Sequence, residues 1–214
     1  AMTPAYGEPA AWVTEAVTPI PKNIYGATKL GAEHLCEMFG RKGRLPVVVL
    51  RTSRFFPEDD DNAGQRGRFS RDNLQALELL NRRVDLADIV SAHRLAVAQA
   101  PALGFSRFII SATTPFTRED LPELNRDARA TILRHFPRAE ALFAARNWSF
   151  PPALDRVYVN AHARATLGWA PRYDFAHVLD CLADGRDFRS ELARAVGSKG
   201  YHDELFEDGP FPVE

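Results

Sequence analysis

A tyrosine and a lysine that could together move a proton stand four residues apart in Tyr25-Gly26-Ala27-Thr28-Lys29. If this stretch is helical, four residues make about one turn, so both side chains project from the same face. A phenol transfers protons poorly at neutral pH because its reference pKa is about 10, but a nearby cation favours the phenolate form. Such a pair could take the proton of a hydroxyl group during hydride transfer. The alternative is an exposed tyrosine and an exposed lysine on an ordinary amphipathic helix.

The residues around this pair predict the elements that would hold it in place. Apolar residues recur at helical spacing over residues 23–41, with Asn23 as a suitable N-cap, so we expect a helix there. The apolar run over residues 47–51 predicts a strand covered on both faces, as in a parallel sheet. A second buried strand is expected over residues 107–112.

The remaining segments predict a mainly helical second half. The acidic stretch 57–68 contains glycine and lacks periodicity, which favours a surface loop, and residues 84–86 suggest a short strand. Residues 1–22 are Pro-rich and carry turn signals, and residues 199–214 are expected to dock rather than to form a regular element. Thr117 begins a capping-box pattern. Helices are predicted over residues 69–80, 87–99, 126–135, 139–146, 160–167, 175–184 and 188–196.

Five segments in consecutive order resemble the NAD-dependent epimerase/dehydratase family of the extended short-chain dehydrogenase/reductase superfamily. They are residues 4–9 with 14–19, the helix start at 23–33, the strand and turn at 47–55, residues 82–90, and Leu-Gly-Trp-Ala-Pro at 167–171. The resemblance implies an α/β fold, with a partial Rossmann-like parallel sheet and a mostly helical C-terminal substrate lobe. It implies that residues 1–112 belong to the dinucleotide-binding domain, with substrate-lobe insertions, and residues 113–214 to the substrate lobe and docking tail.

The resemblance also implies roles for single residues. Tyr25 would be the catalytic acid/base, Lys29 would tune it and bind the nicotinamide ribose, and Thr52 and Ser53 would approach the nicotinamide. Arginines would contact a nucleotide-sugar substrate, since a guanidinium suits phosphate. These are Arg54, Arg82, Arg83 and Arg156.

Structural uses of these arginines stay open. Arg82 and Arg83 could pair with Asp85 or Asp88, and Arg156 could be a surface strand residue. Two residues depart from the family pattern: Arg54 stands where many sugar-nucleotide epimerases have asparagine, and Asp85 replaces a frequent histidine. Their substrate contacts are therefore expected to differ from those of such epimerases.

The Gly-rich turn that binds the pyrophosphate of a dinucleotide is absent from the 214 residues, which contain neither G-x-G-x-x-G nor G-x-x-G-x-x-G. The family's catalytic Ser or Thr would fall at about Met2, with Thr3 one residue out of register. We therefore expect the chain to be the C-terminal part of such an enzyme, either as a fragment or through a start at an internal Met. NAD or NADP would be the parent's cofactor, and the chain alone is expected to be inactive.

Composition excludes several other classes of protein. With 27 basic and 28 acidic residues the net charge is −1, which argues against bulk electrostatic binding of nucleic acid or of a membrane surface. No apolar run approaches the length of about 18 residues needed to span a membrane, and no signal peptide is apparent, so a cytoplasmic protein is expected. Cys36 and Cys181 are isolated, which argues against a metal site or disulfide framework.

Three functions remain open at this stage. Residues 4–6 lack the acidic pair of a dehydratase, which favours a nucleotide-sugar epimerase or simple dehydrogenase. A catalytically silent remnant could instead serve as a dimerisation or interaction module through the helices at 23–41 and 69–80, where the family forms its homodimer. A non-catalytic lobe that binds sugar-nucleotides through its arginines is the third.

Overall fold

The computed structural model describes residues 4–43, 45–57 and 63–197 and has an α/β fold. Met2, Thr3 and the segment 199–214 lie outside the described residues. Its strands are β1 (Ala11–Val13), β2 (Val47–Thr52), β3 (Phe105–Ile110) and β4 (Arg156–Tyr158). The α-helices are α1 (Ile24–Arg41), α2 (Ala63–Arg68), α3 (Arg71–Glu78), α4 (Leu86–Leu103), α5 (Leu121–Leu124), α6 (Ala128–His135), α7 (Ala139–Ala144), α8 (Ala161–Leu167), α9 (Phe175–Ala183) and α10 (Glu191–Val196), with a 3-10 turn at Arg118–Asp120.

The described residues contain two small parallel sheets of two strands each. β2 pairs with β3 over its whole length, from Val47 opposite Phe105 to Thr52 opposite Ile110, and α4 is the crossover helix between them. β1 pairs with β4 in the same parallel sense. The predicted α/β architecture with a partial parallel sheet and a helical second half is thus confirmed.

Helix α1 begins and packs as its sequence predicts. The Asn23 side chain accepts a hydrogen bond of 2.9 Å from the Gly26 N–H and so satisfies one of the unpaired donors of the first turn. At the other end Gly40 is buried against the start of β3, where an added Cβ would lie 2.8 Å from the Phe105 Cβ. The absence of a side chain at Gly40 therefore sets how closely the helix approaches the sheet.

We expect Gly40→Ala to destabilise the protein by about 1–3 kcal/mol, because the new methyl group overpacks against Phe105. Alanine is otherwise the better helix former, so Gly31→Ala in the same helix is the matched control. No atom lies within 4 Å of a Cβ at Gly31, and a gain of about 0.5–1 kcal/mol is expected there. Urea unfolding measures both variants, and a stabilised Gly40→Ala protein would contradict the close contact.

A buried carboxylate joins α4 to the segment after α8. Both Asp88 carboxylate oxygens accept backbone hydrogen bonds of 3.0–3.1 Å from Arg172 and Tyr173, and the Trp169 indole N–H donates to the Asp88 carbonyl oxygen at 3.1 Å. Burial raises the pKa of Asp88 from 3.8 to about 6, although these hydrogen bonds oppose the shift. The segment that contains Leu-Gly-Trp-Ala-Pro therefore packs on α4 at Asp88. The Asp88 carboxyl group binds its proton more tightly in the folded protein than in the unfolded chain.

The raised pKa of Asp88 predicts how the stability of the protein changes with pH. The folded protein binds the Asp88 proton more tightly than the unfolded chain does. Protonation of Asp88 therefore adds to the free energy of unfolding, and this added stability is fully present below about pH 4 and is lost as the pH rises through about 6. Each unit of pKa shift corresponds to about 1.4 kcal/mol. The free energy of unfolding of the wild type, measured relative to Asp88→Asn, should therefore fall between pH 4 and pH 6. A difference that rises or stays flat over this window would be inconsistent with the shift.

Two of the local predictions were wrong, and one region contains a strand that the sequence did not predict. Part of the predicted loop at 57–68 is helix α2, while residues 58–62 lie outside the described residues. The predicted strand at 84–86 is absent because Asp85 instead caps α4, accepting a 2.7 Å hydrogen bond from the Ala87 N–H. The turn region 1–22 contains β1, which forms only because β4, far along the chain, supplies its partner.

Candidate functional site

Helix α1 runs antiparallel to β2 and β3, as three successive contacts along the helix show. Gly40 lies against Phe105 at the start of β3, Glu37 binds Arg107 in its middle, and Glu33 binds Arg51 near the end of β2. The N-terminal turns of α1 therefore extend past the carboxyl ends of the strands. Ligands of open α/β sheets bind at that edge.

The Arg51–Glu33 pair holds this geometry. Arg51 donates two hydrogen bonds to the Glu33 carboxylate, of 2.9 Å from Nε and 2.6 Å from Nη2. These bonds keep the pKa of Glu33 below its usual value. Arg51 thus has a structural use, because it ties α1 to β2.

Tyr25 and Lys29 share one face of the first turns of α1. The Lys29 Nζ lies 5.4 Å from the centroid of the Tyr25 ring, and both side chains are exposed. A cation at this distance over the ring is a cation–π contact. The phenol and the ammonium are thus adjacent at the carboxyl edge of the sheet and accessible to a ligand.

Thr52 and Ser53 lie at the same edge. Thr52 ends β2 with an exposed side chain, and the Ser53 N–H extends the sheet with a 2.9 Å hydrogen bond to the Ile110 carbonyl. The Ser53 Oγ is buried and has no hydrogen-bond partner among the described residues. An unpaired buried hydroxyl at a strand end is available for a ligand group, because proteins rarely leave such groups unsatisfied.

Three of the four arginines predicted to bind substrate converge on one carboxylate that the sequence did not single out. Glu78 Oε1 lies 2.9 Å from Arg82 Nη2 and 3.4 Å from Arg54 Nη1, while Oε2 lies 2.8 Å from Arg83 Nε. We call these four residues the Glu78 cluster. It contains three guanidinium groups and one carboxylate.

The two predicted structural partners of these arginines are used elsewhere. Asp85 caps α4 and accepts the Ser190 N–H at 3.0 Å, and Asp88 binds the segment at 172–173. Arg83 is buried, and burial lowers the pKa of its guanidinium while the Glu78 charge opposes that shift. Pairing with Asp85 or Asp88 was thus a wrong expectation, and Glu78 takes that role because it ends α3 one helical turn before Arg82.

A cavity of about 250 Å³ adjoins the Glu78 cluster. It lies between the end of α3 and the segment before β4. Its wall includes Glu78, Asn81, Arg82, Asn125 and Asp155. Apolar side chains, such as Phe69 and Leu77, also line it.

Arg156, the fourth predicted arginine, is held differently. Its guanidinium forms two hydrogen bonds to Asp155, of 3.0 Å and 2.6 Å, which raise its pKa further. Its backbone carbonyl accepts a 3.0 Å hydrogen bond from the Asn81 amide. Arg156 thus lies next to the cavity wall through Asp155 and Asn81, and a structural role accounts for these contacts.

The site residues that sequence reasoning missed are Glu78 and Asn81. Glu78 precedes Arg82 by four residues, a spacing that could have indicated an ion pair on a helix. No local pattern marks Asn81, whose side-chain amide donates to Arg156, 75 residues further along the chain. Its position in the site depends on the tertiary structure.

The fold and this edge of the sheet define an α/β protein with a Tyr–Lys pair and, elsewhere, a cavity lined in part by Arg82. No family model matches the chain, and no curated protein does. Among the described residues, no group of His, Cys, Asp and Glu could hold a metal ion, and no helix has the length and hydropathy to cross a membrane.

Solved structures of nucleotide-sugar enzymes match the fold in part. UDP-glucuronic acid 4-epimerase from Bacillus cereus, in complex with NAD, is 20% identical at a TM-score of 0.47, over 84% of this chain and 56% of that one. UDP-N-acetylglucosamine 4-epimerase from Bacillus cereus is 18% identical at a TM-score of 0.46, over 79% of this chain and 55% of that one. A short-chain dehydrogenase/reductase superfamily protein from Agrobacterium tumefaciens with bound NAD is 20% identical at 0.49, over 89% and 63%.

This similarity concerns part of the fold alone. The chain spans 55% to 63% of the length of these three proteins. The division into residues 1–112 and 113–214 stays a prediction.

Proposed function

We propose that this chain supplies the proton-transfer pair and the substrate-side residues of an NAD(P)-dependent enzyme that epimerises or oxidises a nucleotide-sugar. The observation that carries the proposal is the adjacency of Tyr25 and Lys29 on the exposed first turns of α1, past the carboxyl ends of β2 and β3. The order of the five sequence segments supports the same family. The Gly-rich turn for the cofactor would come from a separate segment.

The residues present fit the nicotinamide end of such a cofactor. Lys29 offers an ammonium for ribose hydroxyls, and Ser53 offers a buried Oγ without a partner among the described residues. Thr52 presents a second, exposed hydroxyl beside it. These three side chains and Tyr25 belong to the same edge of the sheet.

In the proposed reaction the Tyr25 phenolate takes the proton of a substrate hydroxyl while the carbon that bears this hydroxyl loses a hydride. The nicotinamide, when bound, accepts that hydride and can return it to the opposite face. Lys29 stabilises the phenolate electrostatically, and the partly exposed Arg82 guanidinium orients the phosphate end of the substrate. Arg54 and Arg82 are the partly exposed members of that cluster, whereas Arg83 is buried.

The test is a titration of the purified chain with NAD and with NADP, followed by intrinsic fluorescence. A saturable change that is lost in Lys29→Met and kept in Lys42→Met supports the proposal, because both lysines are exposed and only Lys29 lies beside Tyr25. Absence of any saturable change in the wild type would count against cofactor binding by this chain.

A second candidate function, an association module, rests on the apolar surface of α1. Leu35, Met38 and Phe39 are 58%, 40% and 45% exposed and lie on one face because their spacing is three to four residues. In addition, within the described residues β2 pairs only with β3, so its other edge is open. A second copy of the chain, covering this face, would make a homodimer.

We expect the chain to associate at micromolar concentration and Leu35→Ser with Phe39→Ser to weaken that association, measured by light scattering. The reason is the apolar area that these side chains expose, since burying each one contributes about 1.5–3 kcal/mol. Val97→Ser is the matched control, because Val97 is equally apolar, 76% exposed and located on α4. A chain that stays monomeric before and after the change argues against the module.

A further inference from the structure

The β2–β3 sheet contacts the helices on its two faces through different kinds of side chain. On one face, Leu50 and Phe108 pack in an apolar cluster that includes Ile89 of α4. Successive side chains of a strand point to opposite faces, so Arg51 and Arg107 lie on the other face, where they bind α1. Within the described residues, α1 contributes no side chain to this cluster or to the larger apolar cluster of the core. The apolar clusters therefore hold α4 on the sheet but not α1.

Close packing holds α1 on the sheet at one end only. Among the residues of α1 that the structure describes, only Gly40 is buried, and it lies against Phe105. Toward the other end of the helix, a second cavity of about 270 Å³ lies beside α1. Its lining includes Leu30 of α1 together with Arg51 and Arg107 of the sheet. Direct packing on the sheet therefore does not fix the position of the first turns of α1.

Ion pairs join α1 to the sheet next to this cavity. The Glu33 carboxylate accepts both hydrogen bonds from Arg51 and lies 3.5 Å from the Arg107 Nε. One turn further along, Glu37 pairs with Arg107 and with Arg41 of its own helix. The Glu33 and Arg51 side chains are only about one-fifth exposed, so salt screens their interaction less than that of a surface pair. A two-bond pair of this kind also fixes the relative orientation of its partners.

Glu33 continues the row of side chains that begins with Tyr25 and Lys29. The three residues follow one another at intervals of four, and such a row turns by only about 40° at each step. Gly40 contacts β3 and Glu33 binds β2, so α1 crosses the sheet from β3 toward β2 before its first turns begin. The rotation of α1 at Glu33 therefore sets the direction in which Tyr25 and Lys29 point.

We propose that Glu33 is a positioning residue for the Tyr25–Lys29 pair, because its bonds to Arg51 fix the rotation and the position of the first turns of α1 on the sheet. Glu33 acts through the helix and needs no contact with a substrate or a cofactor. The reaction that it serves rests on the proposed function, whereas the placement of α1 does not.

The test is a distance measurement by pulsed electron paramagnetic resonance between two nitroxide labels on the purified chain. One label is attached at Ala27→Cys, an exposed position in the first turns of α1, and the other at Val97→Cys, on the exposed face of α4. Cys36→Ser removes a half-buried thiol, and Cys181 is buried. An excess of unlabelled chain restricts the measurement to distances within one molecule. With Glu33 in place we expect a single narrow distribution.

In Glu33→Gln, which keeps the shape of the side chain and removes its charge, the distribution should shift or broaden by about 5 Å, the rise of one helical turn. Glu37→Gln is the matched control, because it removes an arginine-paired carboxylate of similar burial from the same helix and leaves the Glu33–Arg51 pair intact. Its distribution should stay narrow. Both variants should lower the melting temperature, so a merely stabilising Glu33 would show that loss without a change in the label distance.

Arg51→Lys provides a second variant in case Glu33→Gln does not fold. Lysine keeps the positive charge at the end of β2 but lacks the planar fork that forms two parallel bonds, so the distribution should broaden less than in Glu33→Gln. An unchanged distribution in Glu33→Gln would overturn the proposal, as would equal broadening in Glu37→Gln. If Glu33→Gln does not fold, an unchanged distribution in Arg51→Lys has the same consequence. The labels report no cofactor binding, so the NAD titration decides the proposed function separately.

Discussion

Turnover should fall about 10²–10⁴-fold when Tyr25 is replaced with phenylalanine in a protein that joins this chain to its dinucleotide-binding segment. The phenol contributes a proton-transfer group that phenylalanine lacks, whereas the ring is exposed and adds little packing. Cofactor affinity should therefore remain largely intact. Steady-state kinetics for turnover and a separate NAD titration measure the two effects.

The control for this prediction is another exposed tyrosine, Tyr6, which is 75% exposed and lies outside α1. Tyr6→Phe should leave turnover unchanged. Lys29→Met should lower both turnover and NAD affinity, because its ammonium serves the phenolate and the ribose. If Tyr25→Phe loses NAD affinity in parallel with turnover, Tyr25 is structural and the proposed chemistry is wrong.

Replacing Glu78 with glutamine should destabilise the fold by about 3–5 kcal/mol, the effect typical of breaking a buried ion pair from one side. Glu78 is 3% exposed and Arg83 is 6% exposed, so the variant removes the carboxylate with which the buried Arg83 guanidinium pairs in the part of the chain that the structure describes. Urea unfolding of the chain measures the loss.

The matched control is Glu140→Gln, which removes an equally close partner from Arg129. Both of those side chains are more than half exposed, so the loss should be about 0–1 kcal/mol. Both variants remove one negative charge, so the difference between their losses in the free energy of unfolding reports the effect of burial. A Glu78→Gln protein as stable as Glu140→Gln would mean that solvent, rather than Glu78, neutralises the arginines.

Local pattern determined the parts of this protein that depend on near neighbours in sequence. The four-residue spacing of Tyr25 and Lys29 placed both on one face of a helix, and Asn23 capped it as expected. Apolar runs identified β2 and β3, and the Thr117–Asp120 capping box formed as predicted. Each of these features involves residues at most a few positions apart, so side-chain periodicity and hydrogen-bonding chemistry were sufficient.

At Asp85 the local sequence pattern was not sufficient to predict the secondary structure. Residues 84–86 have strand-like character, but Asp85 gains two backbone donors, one at the start of α4 and one from Ser190. The second donor lies 105 residues away. Its contribution favours the capping conformation, and no window of local sequence contains that information.

The candidate site was decided largely by tertiary structure for the same reason. Arginines could be chosen from the sequence as anion binders, yet only folding showed that Arg54, Arg82 and Arg83 share the buried Glu78. Folding alone also buried Asn81 and brought its amide nitrogen to the Arg156 carbonyl, 75 residues along the chain. The sequence determined which chemical groups are present on each element, and the packing of distant segments determined which of them are buried, charged together or left without a partner.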